Sequence, residues 1–217
     1  MTAAVVLVVA KAPVAGLAKT RLAASVGDRF AAELAAAALL DTVDSACAVP
    51  NATVACALTG SMADAERAGE LTEALRDCVV FPQRGDDFAT RLANAHADVA
   101  LRFPGAPVVQ VGMDTPQLRA PLLTSALARL READAVLGPA ADGGWWALGL
   151  RRPQDASVLR NVPMSRPDTG ARTLEALQGI GLQVLPLPLL SDVDTMADAV
   201  AVAAQAPDSR FAQVMAR

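Results

Sequence analysis

The chain has 217 residues, 53% of them hydrophobic and 19% charged, which excludes a disordered tail or a coiled coil and is enough to bury one core. Nineteen Lys and Arg against 23 Asp and Glu give a formal net charge of −4, so there is no broad basic face for DNA or RNA. Cys47, Cys56 and Cys78 lie at spacings that match no metal or redox motif, and they read as reduced, buried, structural thiols.

In chain order, the apolar run Ala3 to Ala10 is too short to cross a bilayer and lacks a basic start. It reads as a buried strand at Val5–Val9 rather than a signal peptide, and cytoplasm is the default location. Asp28 can cap a helix running to Ala48, with Phe30, Leu34, Leu40 and Val43 on one stripe. A strand at Thr53–Leu58 precedes a helix over Met62–Arg76. A short strand at Val79–Phe81 and the polar loop QRGDD lead to a helix over Phe88–Leu101.

Pro107–Val111 reads as a buried strand, followed by a helix over Ala120–Arg131 and a strand at Ala135–Leu137. The strand at Trp145–Leu150 returns so quickly that it should be antiparallel. A helix over Thr169–Gln178, a strand at Gln183–Leu187 and a last helix capped by Asp194 or Thr195 complete the chain, with Met196, Val200 and Ala203 on that helix. Repeated strand–helix units with short connections imply one domain over 1–217: a three-layer α/β/α sandwich around a mostly parallel sheet. The alanine-rich helices suit either a core or a homodimer surface.

Ligands gather at the carboxyl ends of strands in such sheets, and four loops there carry chemistry. The first, Lys11–Leu22 (KAPVAGLAKTRL), joins Gly16 to three cations, Lys11, Lys19 and Arg21. That pattern can cradle phosphates or simply lead into a helix. In the second, Gly112–Leu118 (GMDTPQL), Asp114 can ligate Mg²⁺ or Mn²⁺ or cap a helix. The third, Gly138–Trp146, sets Asp142 beside Gly143, Gly144 and two tryptophans, one suited to the core and one to a pocket wall. In the fourth, Asp192 and Asp194 face one side of an extended stretch, where one can reach a metal while the other caps a helix. His96, the only histidine, falls mid-helix with no GxSxG elbow, and reads as structural or solvated.

These loops, with Pro82–Phe88 (PQRGDDF), Val162–Leu174 (VPMSRPDTGARTL) and Asp192–Thr195 (DVDT), resemble a bacterial GT-A-like family of unassigned function, grouped with glycosyltransferases and nucleotidyltransferases. The chain is more distantly similar to the molybdopterin-cofactor and phospholactate nucleotidyltransferases. The resemblance implies the nucleotide-diphospho-sugar transferase fold, a nucleotide or nucleotide-sugar donor and a small acceptor, with no nucleic acid or membrane partner. It implies nucleotide binding by Lys11, Gly16, Lys19, Arg21 and Gly85. Asp114 and Asp142 become catalytic, Asp114 and Asp194 hold Mg²⁺ or Mn²⁺, and Gly143, Gly144, Trp145 and Ser165 lie on the acceptor side.

Three departures stand out. The third loop reads GGWW rather than GGYY, Met164–Thr169 replaces a Trp-Ser-Thr sequence, and the first loop lacks the GxGxR of sugar-nucleotide pyrophosphorylases. The missing GxGxR signature leaves a non-catalytic nucleotide- or partner-binding module as the alternative to a transferase.

Overall fold

The computed structural model describes residues 4–217; the start of the first apolar run at Ala3 lies outside the described residues. Seven strands form one sheet: β1 (Ala4–Lys11), β2 (Ala52–Thr59), β3 (Val79–Pro82), β4 (Val108–Val111), β5 (Ala135–Pro139), β6 (Trp145–Leu150) and β7 (Val184–Pro186). Their order is β3-β2-β1-β4-β6-β5-β7, and β6 runs antiparallel to both its neighbours while the other pairs are parallel. The helices are α1 (Thr20–Val26), α2 (Asp28–Cys47), α3 (Ala68–Ala74), α4 (Phe88–Arg102), α5 (Ala120–Arg129), α6 (Thr169–Gly179), α7 (Met196–Gln205) and α8 (Arg210–Met215).

β1 shows why the sheet is central. Its residues alternate faces, so Val6 and Val8 meet Leu39, Leu40 and Val43 of α2, with Leu123 of α5 in the same cluster. Val5 and Leu7 point the other way, toward Leu92 and Val99 of α4 and Leu177 of α6. A continuous β-branched run is what a strand covered on both faces requires. The alanines of α2 have a similar cause. Ala35 and Ala36 pack on the sheet, while Leu34, Ala37 and Ala38 face a third cluster with Val202 of α7 and Phe211 of α8. Small side chains let α2 lie buried between these two layers, so its alanines are core.

Several elements differ from the sequence expectations. α1 and α8 were not expected, nor was the 3₁₀ stretch Pro153–Asn161. These are short segments with few apolar anchors: Leu22 and Ala23 in α1, Phe211 and Val214 in α8. Gly27, at φ 85, both ends α1 and begins α2, so Asp28 is the first helical residue rather than the cap. The helix expected over Met62–Arg76 is a 3₁₀ turn at Met62–Asp64 followed by α3, broken at Arg67, whose φ is 56. Leu71 is the only buried side chain of α3, too little apolar face to hold a longer helix.

α7 is not the last helix, and its Met196 and Val200 are 36% and 56% exposed, while Ala199 and Val202 are buried. Of the cysteines only Cys56 is buried; Cys47 is exposed and Cys78 half-buried, because they sit at the end of α2 and the entry to the edge strand β3. Among the described residues no helix is long and apolar enough to cross a membrane.

Candidate active site

The strands β1, β2, β3 and β4 end on one edge of the sheet, and the four chemistry-bearing loops meet there around a cleft of about 670 Å³. A smaller recess of about 250 Å³ adjoins it under the first loop. Lys11, Arg21, Asp114 and Asp194 line both.

Lys19 stands at the junction. Its ammonium lies 2.8 Å from Asp114 Oδ1 and 3.7 Å from Asp194 Oδ1, with only 9% of its side chain exposed. It also donates to the Val193 carbonyl. Arg21 donates to the other oxygen of Asp194 at 3.1 Å. The Val193 N–H donates to the Asp114 carbonyl at 2.9 Å, which fastens the fourth loop to the second. Lys19 has φ 50 and Ser165, on the far wall, has φ 58. Left-handed backbone at two non-glycine cleft residues is strain held by the surrounding contacts.

Capping does not account for the carboxylates. Arg119 occupies the cap of α5, five residues beyond Asp114. Thr195 caps α7 in a reciprocal box with Asp198, so Asp194 is left to the cleft. Asp142 Oδ1 accepts from the Gly144 N–H at 2.8 Å and shapes the β5–β6 turn while lining the cleft. Burial pushes the Asp192 carboxyl up to about 6, and the nearby charges of Asp142, Asp194 and Asp114 push in the same direction. The cleft therefore carries a concentrated negative field that its own cations do not fully offset.

The two tryptophans divide as their neighbouring strand positions require. Trp146 is 3% exposed, packs in the core and donates its indole N–H to the Pro188 carbonyl at 2.9 Å. Trp145 lines the cleft, with its indole N–H on Thr173 Oγ1 at 3.1 Å. Gly144 and Ser165 also line the cleft, whereas Gly16, Gly85 and Gly143 do not. Gly85 accepts from Arg91 Nε through its carbonyl at 2.9 Å, and a Cβ on Gly16 would lie 3.7 Å from Asp28 Oδ2.

Gly143 has a packing role. At φ 88 it presses on the Met164–Thr169 segment so closely that a Cβ would lie 1.9 Å from the Pro167 carbonyl oxygen. Gly143→Ala is therefore expected to destabilise the fold by at least about 2 kcal/mol, from left-handed strain plus displacement of that segment. Urea unfolding checks this, and an unchanged midpoint would show that the segment yields freely.

Sequence reasoning missed Gln83, Arg91, Gln110 and Arg166, all on the cleft wall. Gln110 sits inside a strand whose reading is simply buried, and nothing local separates the two arginines from surface charge.

The doubly covered sheet, with carboxylates and cations at the carboxyl ends of its strands, has the nucleotide-diphospho-sugar transferase fold, as its match to solved structures shows. A candidate nucleotide-diphospho-sugar transferase from Desulfovibrio desulfuricans G20 is 27% identical with a TM-score of 0.87, over 100% of this chain and 95% of that one. A CMP:2-keto-3-deoxy-manno-octonic acid synthetase complexed with CTP shares the fold at 13% identity and a TM-score of 0.58, over 93% and 97% of the two chains. Rv0371c of Mycobacterium tuberculosis H37Rv, in complex with manganese, does so at 20% identity and a TM-score of 0.52, over 92% and 97%.

Residues 42–166 match the family described as "Uncharacterized protein conserved in bacteria (DUF2064)", and the chain belongs to that family. No curated protein matches it.

Proposed function

We propose that the whole chain acts as one metal-assisted transferase domain, moving a nucleotidyl or glycosyl group from a nucleotide donor to a small acceptor. The observation that carries this reading is the convergence of Lys19, Asp114 and Asp194 between two adjoining recesses at the sheet edge. The fold shared with a CTP-bound synthetase and a manganese-bound protein supports it.

The residues fit a divalent cation. Asp114 and Asp194 face one common point, marked by the ammonium that both contact, and Asp192 lies near enough for their charges to add to the upward shift that burial gives its carboxyl. Among the described residues no three His, Cys, Asp or Glu side chains form a closed cage. Mg²⁺ suits such a sparse set, because it usually takes one or two carboxylates plus waters and substrate phosphates. Asp114 and Asp194 would hold the ion, which when bound would offset charge on phosphate oxygens. Lys19 and Arg21 are within reach of the same phosphates and would hold and orient them. Asp142 stands near the acceptor as a positioning group or general base. Charge complementarity and orientation then supply the acceleration, without a protein nucleophile.

In nucleotidyl transfer an acceptor oxygen bonds to the α-phosphorus and pyrophosphate leaves. In glycosyl transfer the acceptor bonds to the anomeric carbon and a nucleoside diphosphate leaves. Identifying the released product separates the two.

The donor is tested by thermal shift with nucleoside triphosphates and sugar nucleotides, each with and without Mg²⁺ or Mn²⁺. A ligand at about a hundredfold its Kd adds roughly 2.7 kcal/mol, worth about 5–10 °C in a chain of this size. A metal-dependent shift with one nucleotide, absent in Asp114→Ala, is the expected result. If no nucleotide shifts the protein, the donor site is wrong and a non-catalytic module takes precedence.

A further inference from the structure

The donor reading leaves the α4 side of the cleft unassigned. α4 lies between the parallel strands β3 and β4 in the chain, so its first two turns reach the carboxyl edge of the sheet. There Phe88, Arg91 and Leu92 face the cleft, opposite Trp145 and the Met164–Arg166 segment.

Beneath them lies a polar pair inside an apolar layer. Gln110 is 2% exposed and its Oε1 is 2.9 Å from His96 Nε2, which is itself fully buried. A carbonyl oxygen needs a donor, so the imidazole carries its proton on Nε2 and donates to Gln110. With the amide oxygen on the ring, the Gln110 NH₂ group makes no hydrogen bond to the protein among the described residues, and its side chain lines the cleft. A free amide donor at a cleft wall can be met by an oxygen of whatever fills the cleft.

The cations of this region point the same way. Arg91 donates Nε to the Gly85 carbonyl, and no carboxylate pairs with its guanidinium among the described residues. Arg166 is near the same wall, with Nε 3.3 Å from Asp168 Oδ1, and Asp168 also pairs with Arg172. The cleft's other cations lie on the donor side of that reading. Arg21 bonds Asp194, and the Lys11 ammonium donates to the Leu17 carbonyl at 2.8 Å.

Resting on the transferase reading above, we infer that the acceptor is a small amphipathic anion: its carboxylate or phosphate is held by Arg91 and Arg166, its oxygen by the Gln110 amide, and its apolar body by Phe88, Trp145 and Met164. Guanidinium groups match both anions in a planar, bidentate way, which explains arginine rather than lysine here. Apolar walls with a few placed polar groups are the usual form of a small-molecule pocket.

Phenyl phosphate, benzoate and uncharged benzyl alcohol are titrated into the protein without nucleotide, followed by tryptophan fluorescence and thermal shift. Phenyl phosphate or benzoate is expected to bind, and the tighter of the two identifies phosphate or carboxylate as the natural group. Arg91→Gln and Arg166→Gln should each weaken binding at least tenfold, while Arg131→Gln, an exposed arginine outside the cleft, should leave it within twofold. Equal binding of benzyl alcohol, equal loss in Arg131→Gln and the two cleft variants, or no response to any probe would overturn the inference. Because nucleotide is absent, this titration can fail while the donor panel succeeds, and the reverse.

Discussion

Asp114→Ala is expected to lower metal-dependent turnover about a thousandfold while leaving the fold nearly as stable as before. Removing one group that stabilises transition-state charge commonly costs about 3–4 kcal/mol, and each 1.36 kcal/mol is tenfold in rate. The stability side follows from the geometry. The Asp114 side chain is 40% exposed, so its truncation opens no core cavity. Lys19 keeps Asp194 and the Val193 carbonyl, and the Val193 N–H still bonds the Asp114 backbone oxygen. The pair is exposed only on the Asp114 side, so its loss costs more than the ~1 kcal/mol of a surface pair but is limited because Lys19 keeps a second carboxylate. Product release measured across a Mg²⁺ titration, with urea unfolding as the control, checks both halves. Asp114→Asn keeps the shape and removes the charge, so it should behave like the alanine variant. Turnover within tenfold of wild type in either variant would remove Asp114 from the proposed metal site.

Much of the fold is legible in the sequence because burial on two faces leaves a strong mark. Val5–Val9, Val108–Val111 and the apolar run of β6 could hardly be anything but covered strands, and the short β5–β6 link reveals the antiparallel return. What escaped depends on contacts distant in sequence. α8 exists because Phe211 and Val214 find Leu34 and Val202, and the Phe211 and Arg210 N–H groups find the Asp41 carboxylate at 2.9 and 3.0 Å. No local period announces that. α3 fails to extend for the complementary reason: its sequence tolerates a helix, but Leu71 is the one buried side chain within it, and Leu75 follows only at its end.

The candidate site was legible where a residue type is unusual for its place. Asp114 at the end of a buried strand, and the glycines beside Asp142, stand out in the sequence alone. The choice between capping and ligation did not, because it turns on which neighbouring residue takes the helix end. Thr195 and Arg119 take those places, and the carboxylates are left facing Lys19. Arg91 and Arg166 carry no such signal, since an arginine lining a cleft and an arginine on a wet surface look alike without the fold.

His96 is expected to make the fold acid-labile over a defined pH window. Burial pushes its imidazole down to about 4, and the hydrogen bond with Gln110 restores only part of the shift. In the unfolded chain the ring takes up its proton near pH 6.5, while the folded protein holds it neutral until about 4. Its contribution is therefore fully present above pH 6.5 and is lost as pH falls toward 4, by about 3 kcal/mol. Asp192 acts in the opposite sense. Its raised folded value lets the folded state bind a proton first between about 6 and 4, which stabilises the fold on acidification. The whole-protein profile mixes the two, so the clean measurement is a difference. His96→Asn and His96→Leu should each cost about 2 kcal/mol at pH 8, through lost packing and an orphaned Gln110 oxygen. That deficit should shrink and then reverse as pH drops from 6.5 to 4, because the variants have no imidazole to protonate on unfolding. Urea unfolding of wild type and both variants at half-unit pH steps reads this directly. A deficit that stays constant across the window would mean that the folded protein accepts the proton on His96.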